Sequence, residues 1–484
     1  MRANFRGKNR RRTNLAGNGP ADPPQRRRIL RSLIGAHIRA LDPHRVHAGA
    51  VRRREAAREY VGGALWVLPF VVGNAALVIG FALAQVDVVP GSFLWNVAFR
   101  GSSADARTLL LTITGTVVTV IALVLGLSIV ALQLSSTQFS PRLLRNFLRD
   151  RPNQVVLSVF MATFAYSAAG LLTVGVGAEP EKFPRLAVTG ALALLFASIA
   201  AVAYFADHLS HSIQVDAIMR RVERETLEVI ARLPRDVELV PPTAPPWAVP
   251  IAAKTSGYVV TAHPEQLLPL AATHGVSIAL SRRVGEHVVP GTVLAQIWTS
   301  RPDDELPDPH VFEHALDDAV GIGFERTRQQ DVAIGIRQLV DVACKALSPA
   351  VNDPYTAIQA VDHMAVIFAA MAVRPLGPRV GRAGDCAVVI PSRRFGEYLG
   401  TMCGLVRRYG SAEPTVSLAL LRLLDTCASI ARTDRERLQA VADQARLIAA
   451  DAERETRQAV DVEPVRSAQS ALLRRIEAFR ALAE

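Results

Sequence analysis

The chain has 484 residues, half of them hydrophobic, with a formal net charge of +11 and four cysteines. The charge is not spread: residues 1–60 hold 16 Lys and Arg against four acids, so the remainder sums to −1. A basic excess confined to one tail without interleaved aromatics speaks against nucleic acid as its partner, and cysteines with no C-x-x-C pair argue for reduced, partly buried thiols.

Residues 1–58 read as a basic, largely disordered cytosolic tail. Within it, Leu30, Leu33, Ile34, Ile38 and Leu41 fall on one side of a short helix that would lie in the headgroup region. Arg52, Arg53 and Arg54 stand just before the first apolar stretch. They fit the positive-inside rule for a cytoplasmic end, and equally an anchor on anionic lipid.

Four stretches without a charged residue follow, at 61–86, 108–141, 152–178 and 186–206. A bilayer core about 30 Å thick takes roughly 20 apolar residues in helix to cross. Backbone groups in hydrocarbon must bond within their own segment, so each stretch is expected to be a transmembrane helix. The domain over 59–206 is therefore expected to hold four spans. Loop charges alternate: Asp87, Arg100, Asp105 and Arg107 cancel, Arg142, Arg145 and Arg149 outweigh Asp150, and Glu179 and Glu181 balance Lys182 and Arg185. That alternation places both termini in the cytosol, with the basic loop facing anionic lipid. After Ser140-Pro141, Leu143, Leu144, Phe147 and Leu148 form an apolar stripe suited to an elbow helix on the inner leaflet.

The second span is unusual. Thr112, Thr116, Thr119, Gly126 and Gln133 recur at helical intervals, making a small, hydroxyl-bearing stripe. Such a stripe lines a water-filled pore in an oligomer or forms a close helix–helix contact. None of the four stretches carries an Asp, Glu, Lys, Arg or His, which disfavours a carboxylate-driven transporter.

Residues 207–250 continue as a helical stalk and end in a stiff linker with six prolines between 234 and 250. Residues 251–300 predict a small β-rich module, with strands near 257–261, 276–280 and 293–298 and a helix near 265–272. The run Gly285-Glu-His-Val-Val-Pro-Gly resembles the turn of biotinyl and lipoyl barrels, but no modifiable lysine follows it. Residues 301–484 predict a helical domain with a helix over 329–347, a strand at 385–390, and a helix opened by a Thr433/Glu436 capping box. The fold expected is thus an α-helical polytopic membrane protein with a mainly α cytosolic half and a small β insert.

Two constellations deserve weighing for chemistry. His310-Val-Phe-Glu-His314 matches the H-x-x-E-H pattern of zinc peptidases, and equally a polar helix face. Glu325, Arg326 and Asp331, with Ser348, Asn352, Asp353 and Pro354, gather charge and turn residues. They read either as a ligand site or as an ion-pair lock at a helix corner that Asn352 or Asp353 caps and Pro354 begins.

The segments Thr112-Ile-Thr-Gly-Thr-Val-Val-Thr-Val, Ala131-Leu-Gln-Leu-Ser-Ser-Thr-Gln-Phe-Ser-Pro-Arg and Leu347-Ser-Pro-Ala-Val-Asn-Asp-Pro resemble the bacterial predicted-membrane-protein family called domain of unknown function 2254. The resemblance runs from about residue 55 onward. It implies this architecture and the bacterial inner membrane, and it transfers no catalytic residue. The functional expectation is an oligomeric channel with a regulatory cytosolic domain, or alternatively a non-conducting scaffold or sensor. A zinc-dependent hydrolase is a distant third. No enzyme activity and no cofactor are expected, and the expected partners are the bilayer and further copies of the chain.

Overall fold

The computed structural model describes residues 64–86, 93–138, 151–174, 184–212, 214–233 and 240–482. The basic tail, Arg52–Arg54, the elbow stripe and Arg142, Arg145 and Arg149 lie outside them.

The apolar stretches form four long helices: α1 (Val67–Ala84), α3 (Ser103–Gln138), α4 (Arg151–Thr173) and α5 (Arg185–Ser212), with a short α2 (Phe93–Val97) between the first two. Helix α4 is central and packs against α1, α3 and α5. Its contact with α1 is close because α1 offers glycines there. A Cβ at Gly80 would lie 3.0 Å from the Ala169 Cβ and 3.1 Å from the Tyr166 carbonyl, the small-residue approach by which helices pack in lipid. Helices α4 and α5 share a 2.8 Å hydrogen bond between the Thr163 and Ser198 hydroxyls. The remaining large apolar side chains, among them Phe70, Ile79, Leu123, Ile129 and Phe196, point outward. An outward apolar surface of that extent is what hydrocarbon, not water, stabilises.

Helix α6 (Val215–Arg232) begins after only two residues beyond the end of α5, with the extended Gln214 as its N-cap. It is amphipathic and buries Met219, Val222, Thr226, Val229 and Ile230. These side chains enter a large helical core shared with α9 (Val332–Ala346), α10 (Pro354–Ala372), α11 (Phe395–Gly410), α12 (Pro414–Ile430), α13 (Arg435–Glu455) and α14 (Ala459–Leu482). A Cβ at Gly335 would overlap the Thr226 side chain, so α9 meets α6 nearly backbone to side chain. Three of the cysteines, Cys386, Cys403 and Cys427, are buried, and all four are free thiols.

The β structure comprises β1 (Val249–Ala252), β2 (Gly257–Ala262), β3 (Val276–Leu280), β4 (His287–Val288), β5 (Val293–Thr299), β6 (Val320–Gly323), β7 (Arg379–Ala383) and β8 (Cys386–Ile390), with helices α7 (Pro264–His274) and α8 (Pro309–Ala319). One sheet has the order β1-β5-β3-β8-β7 and the other β4-β2-β6. The three expected strands and the helix near 265–272 are present. The module is not confined to 251–300, however. Strands β6, β7 and β8 come from the helical segment, and β8 pairs parallel with β3. The edge strand β1 carries Pro250, which only an edge tolerates. The opening of α13 also differs: Asp434, not Thr433, caps it, accepting from the Arg437 N–H at 3.0 Å.

Among the described residues five helices are long and apolar enough to cross a membrane: α1, α3 (over Ser103–Ala131), α4, α5 and α10. The last is unlike the others. It buries Ala357, Ala360, Val361, Met364, Ile367, Phe368 and Met371 in the helical core. Its Asp362 pairs with Arg422 at 3.3 Å and its His363 with Glu223 at 2.5 Å.

Candidate functional site

Where the β layers meet the helical core, the turn entering α9 builds a polar junction. Asp331 ends that turn as the N-cap: its Oδ1 accepts from the Ala333 N–H at 3.0 Å, satisfying a donor with no partner inside the helix. Its Oδ2 accepts from Arg326 Nε at 2.8 Å, with Arg326 Nη2 at 2.6 Å. The Asp331 side chain is 3% exposed, so its charge is stable there only because the guanidinium accompanies it. Gly285 makes room for the pair. Its φ is +89°, and a Cβ there would come 2.5 Å from Asp331 Oδ2 and 2.9 Å from Arg326 Nη2. The neighbouring Gln330 accepts the Ala262 N–H at 3.0 Å, tying the turn to the end of β2.

Beside this junction lies a cavity of about 360 Å³. It is lined by Arg232 from the end of α6, His263 and Glu265 at the start of α7, Arg283 from the turn after β3, Gln329 to Asp331, Arg379 of β7, and Arg393 and Tyr398 around the start of α11. Apolar walls come from Val229, Val284, Pro375, Leu376 and Pro391. Four arginines face two carboxylates. Arg283 is held by Glu286 at 2.7 Å and Glu397 at 2.5 Å. Although burial opposes it, these contacts keep the Glu397 carboxyl below the usual carboxylate range. Arg379 donates to the Ala262 carbonyl at 3.3 Å, and burial lowers its pKa. A guanidinium does not deprotonate on that account; the direction registers a charge deprived of water. Burial and the Asp331 charge push the Tyr398 phenol up to about 12, so it acts as a neutral donor or acceptor.

The seven residues expected at one corner divide. Arg326 and Asp331 build the cavity junction, and Glu325 sits half-buried in the same loop. Ser348, Asn352, Asp353 and Pro354 lie at the other end of α9, whose 15 residues span about 22 Å. There they make a helix–helix corner. Asn352 takes a left-handed φ of 51°, its N–H donates to the Ser348 carbonyl at 2.8 Å, and the Asp353 N–H donates to the Ala346 carbonyl at 2.8 Å. Asp353 then caps α10 through the Thr356 N–H at 3.1 Å and hydroxyl at 2.5 Å. These hydrogen bonds hold its carboxyl below the usual range. Asp331 and Asp353 each open a helix, so they share a local role without sharing a place.

On α3, Leu110, Ile113, Val117, Val124 and Ala131 are buried against the bundle. Thr112, Thr116, Thr119, Gly126 and Gln133 are all exposed, on the side facing away from it. The Thr112 and Thr119 hydroxyls donate to the carbonyls four residues back, at 2.8 and 3.1 Å. A Cβ added at Gly115 or Gly126 would meet no atom within 4 Å. On α8, Glu313 of the H-x-x-E-H pattern is engaged by Lys254 at 3.2 Å and His310 at 3.1 Å. Among the described residues no group of three His, Cys, Asp or Glu is placed to hold a metal ion.

Arg232, Arg283, Arg379, Arg393 and Tyr398 reach the cavity from distant segments and carry no local motif in the sequence. The left-handed turn at Gly285 was the one local trace.

Residues 63–426 match the family described as predicted membrane protein, DUF2254. The chain belongs to this family. It is similar to an uncharacterised protein of Mycobacterium bovis, with 43% identity over 426 residues, covering 85% of this chain and 81% of the relative. An uncharacterised protein of Mycobacterium tuberculosis strain H37Rv matches to the same identity and extent. No solved structure matches this DUF2254 chain significantly.

Proposed function

We propose that this multi-pass membrane protein crosses the bacterial inner membrane four times, assembles with copies of itself through α3, and forms a pore-like oligomer regulated by its cytosolic half. The observation that carries this reading is the outward face of α3. Every residue of the Thr112–Thr116–Thr119–Gly126–Gln133 stripe is exposed, opposite the face that the bundle buries. In hydrocarbon a threonine or glycine stripe gains nothing over leucine. Against a second α3 it permits close backbone approach, and around an axis it presents hydroxyls to water.

The count of four follows from treating α10 as a core helix. Near mid-helix its Asp362 is ion-paired with Arg422 and its His363 hydrogen-bonded to Glu223, polar groups that lipid would penalise. The loop charges support a cytosolic side for both termini, the β sheets and the helical core. Arg52, Arg53, Arg54, Arg142, Arg145 and Arg149 would meet anionic headgroups on that side. A non-conducting sensor is the second reading, favoured by the cavity. No enzyme activity is proposed.

Cysteine scanning along α3, with the four native cysteines replaced, tests the assembly. Cross-links between subunits should peak every three to four positions from Thr112 to Gln133, and thiol reagents and liposome flux should report water on the same face. Cross-links without access would favour the sensor. Neither signal in folded protein would overturn both readings. Reporter fusions after residues 95, 147, 182 and 240 should alternate outside, inside, outside, inside; an outside signal at 240 would overturn the topology.

A further inference from the structure

The arginines of the cavity differ in how fully their charge is answered. Arg283 has two carboxylates, and Arg326 has Asp331. Arg379 and Arg393 do not share that condition. Among the described residues Arg379 has one carbonyl, that of Ala262 at 3.3 Å, and no carboxylate within ion-pair distance. The nearest acid to Arg393 is Asp331, 3.8 Å away, whose charge is already committed to Arg326 and whose other oxygen caps α9. A guanidinium offers five N–H donors in a planar fork. Two such forks, half-buried and facing one cavity, therefore have most of their donors free of protein partners and open to a ligand.

We propose that the cavity binds a phosphate monoester of a small metabolite, with Arg379 and Arg393 gripping the phosphate. The chemistry selects the class. Paired guanidinium forks match the oxygens of phosphate and carboxylate alike. Arg283 is answered by Glu286 and Glu397, Arg232 by Glu228 and Arg326 by Asp331, which leaves Arg379 and Arg393 as the cationic pair. Two guanidinium charges suit a dianion, and a phosphate monoester carries about −1.5 to −2 at neutral pH. The volume of about 360 Å³ exceeds what inorganic phosphate fills and sits at the small end of metabolite pockets. Val284, Pro375 and Leu376 supply an apolar wall for the ester's organic part, and the Tyr398 hydroxyl supplies a neutral hydrogen-bonding group. The site stands whether or not α3 assembles a pore, so its test reads binding rather than flux.

The test uses the full chain in detergent, titrated calorimetrically with adenosine 5′-monophosphate, inorganic phosphate and adenosine, with Arg379→Gln and Arg393→Gln beside the wild type. The nucleotide should bind more tightly than phosphate, adenosine should not bind, and each substitution should weaken nucleotide binding roughly tenfold or more. The basic tail also attracts phosphate, so loss of binding in the two variants is the deciding observation. Should Arg379→Gln not fold, Arg393→Gln and the wild type still decide. Titration of the same detergent-solubilised chain with short-chain phosphatidic acid and, as control, short-chain phosphatidylcholine tells the ester's source. Phosphatidic acid binding that is lost in Arg393→Gln, with none to phosphatidylcholine, would support the same phosphate grip on a lipid headgroup. Absence of wild-type binding to the nucleotide, to phosphate up to about 10 mM and to short-chain phosphatidic acid would overturn the proposal, as would binding unchanged in both variants.

Discussion

Replacing Asp331 by alanine removes two things at once: the cap of α9 and the carboxylate that makes the buried Arg326 charge tenable. Loss of a cap alone costs about 1 kcal/mol. Breaking a buried ion pair by deleting one partner costs about 3–5 kcal/mol, because the other charge stays behind. With the Asp331 side chain 3% exposed and Arg326 at 24%, the second effect dominates, and about 4 kcal/mol is expected for Asp331→Ala. Asp331→Asn keeps an oxygen for the Ala333 N–H and loses the charge, so it should recover about 1 kcal/mol of that. Cys403 gives the assay. It is fully buried in α11, which packs on α9, and burial pushes its thiol up to about 12, so labelling requires opening of the core. At about 1.4 kcal/mol per factor of ten, labelling of the Cys403 peptide should run roughly a thousandfold faster in Asp331→Ala, read by mass spectrometry on the detergent-solubilised chain. A rate equal to wild type would refute the view of this junction as a buried, charge-dependent lock.

Three further outcomes follow from the same geometry. Gly285→Ala should cost about 1–2 kcal/mol for its left-handed backbone alone, and more because the new Cβ intrudes on the Arg326–Asp331 pair; a lowered melting temperature checks it. Gly335→Ala should destabilise the docking of α6 on α9, and Thr226→Ala should partly rescue it by removing the overlapping hydroxyl, a coupling that a double-mutant cycle measures. Asp353→Ala should cost about 1 kcal/mol as a lost cap. Because its folded pKa lies below the ordinary carboxylate value, wild-type Asp353 stabilises fully above that value. The contribution is lost as pH falls through the folded pKa, and the gap between wild type and variant in melting temperature should close over that range.

The apolar helices were legible because lipid imposes one rule on every backbone group, and uncharged stretches of that length satisfy it in few other ways. The strands at 257–262, 276–280 and 293–299 were legible as short β-branched runs between turn residues. Strand β7 was not: Arg-Val-Gly-Arg-Ala carries two arginines and a glycine, and only pairing with the fully buried β8 makes it a strand. Strand β6 ends in Gly-Ile-Gly and is likewise fixed by its partner β2. Asp331 and Asp353 were read as one corner because 22 positions look short along a sequence, yet a rigid helix keeps them apart. The cavity was illegible for a different reason. Its arginines at 232, 283, 379 and 393 come from four separate elements, and no local periodicity records a meeting of that kind.

The abrupt start of α6 after α5 has a consequence for how the chain tolerates length change. A helix turns about 100° per residue, so one residue inserted between Met219 and Val229 would rotate everything beyond it by more than a quarter turn. The apolar side chains would leave the groove of α9 and α10, and Arg232 would swing away from the cavity. Residues 241–245 bear no such phase, since an extended proline-rich strap can lengthen without turning its ends. Insertions among homologous chains should therefore accumulate in the strap and be excluded from α6. The distance and angle between the start of α6 and the cavity are set by helical register, as the thread of a screw sets how far it advances per turn.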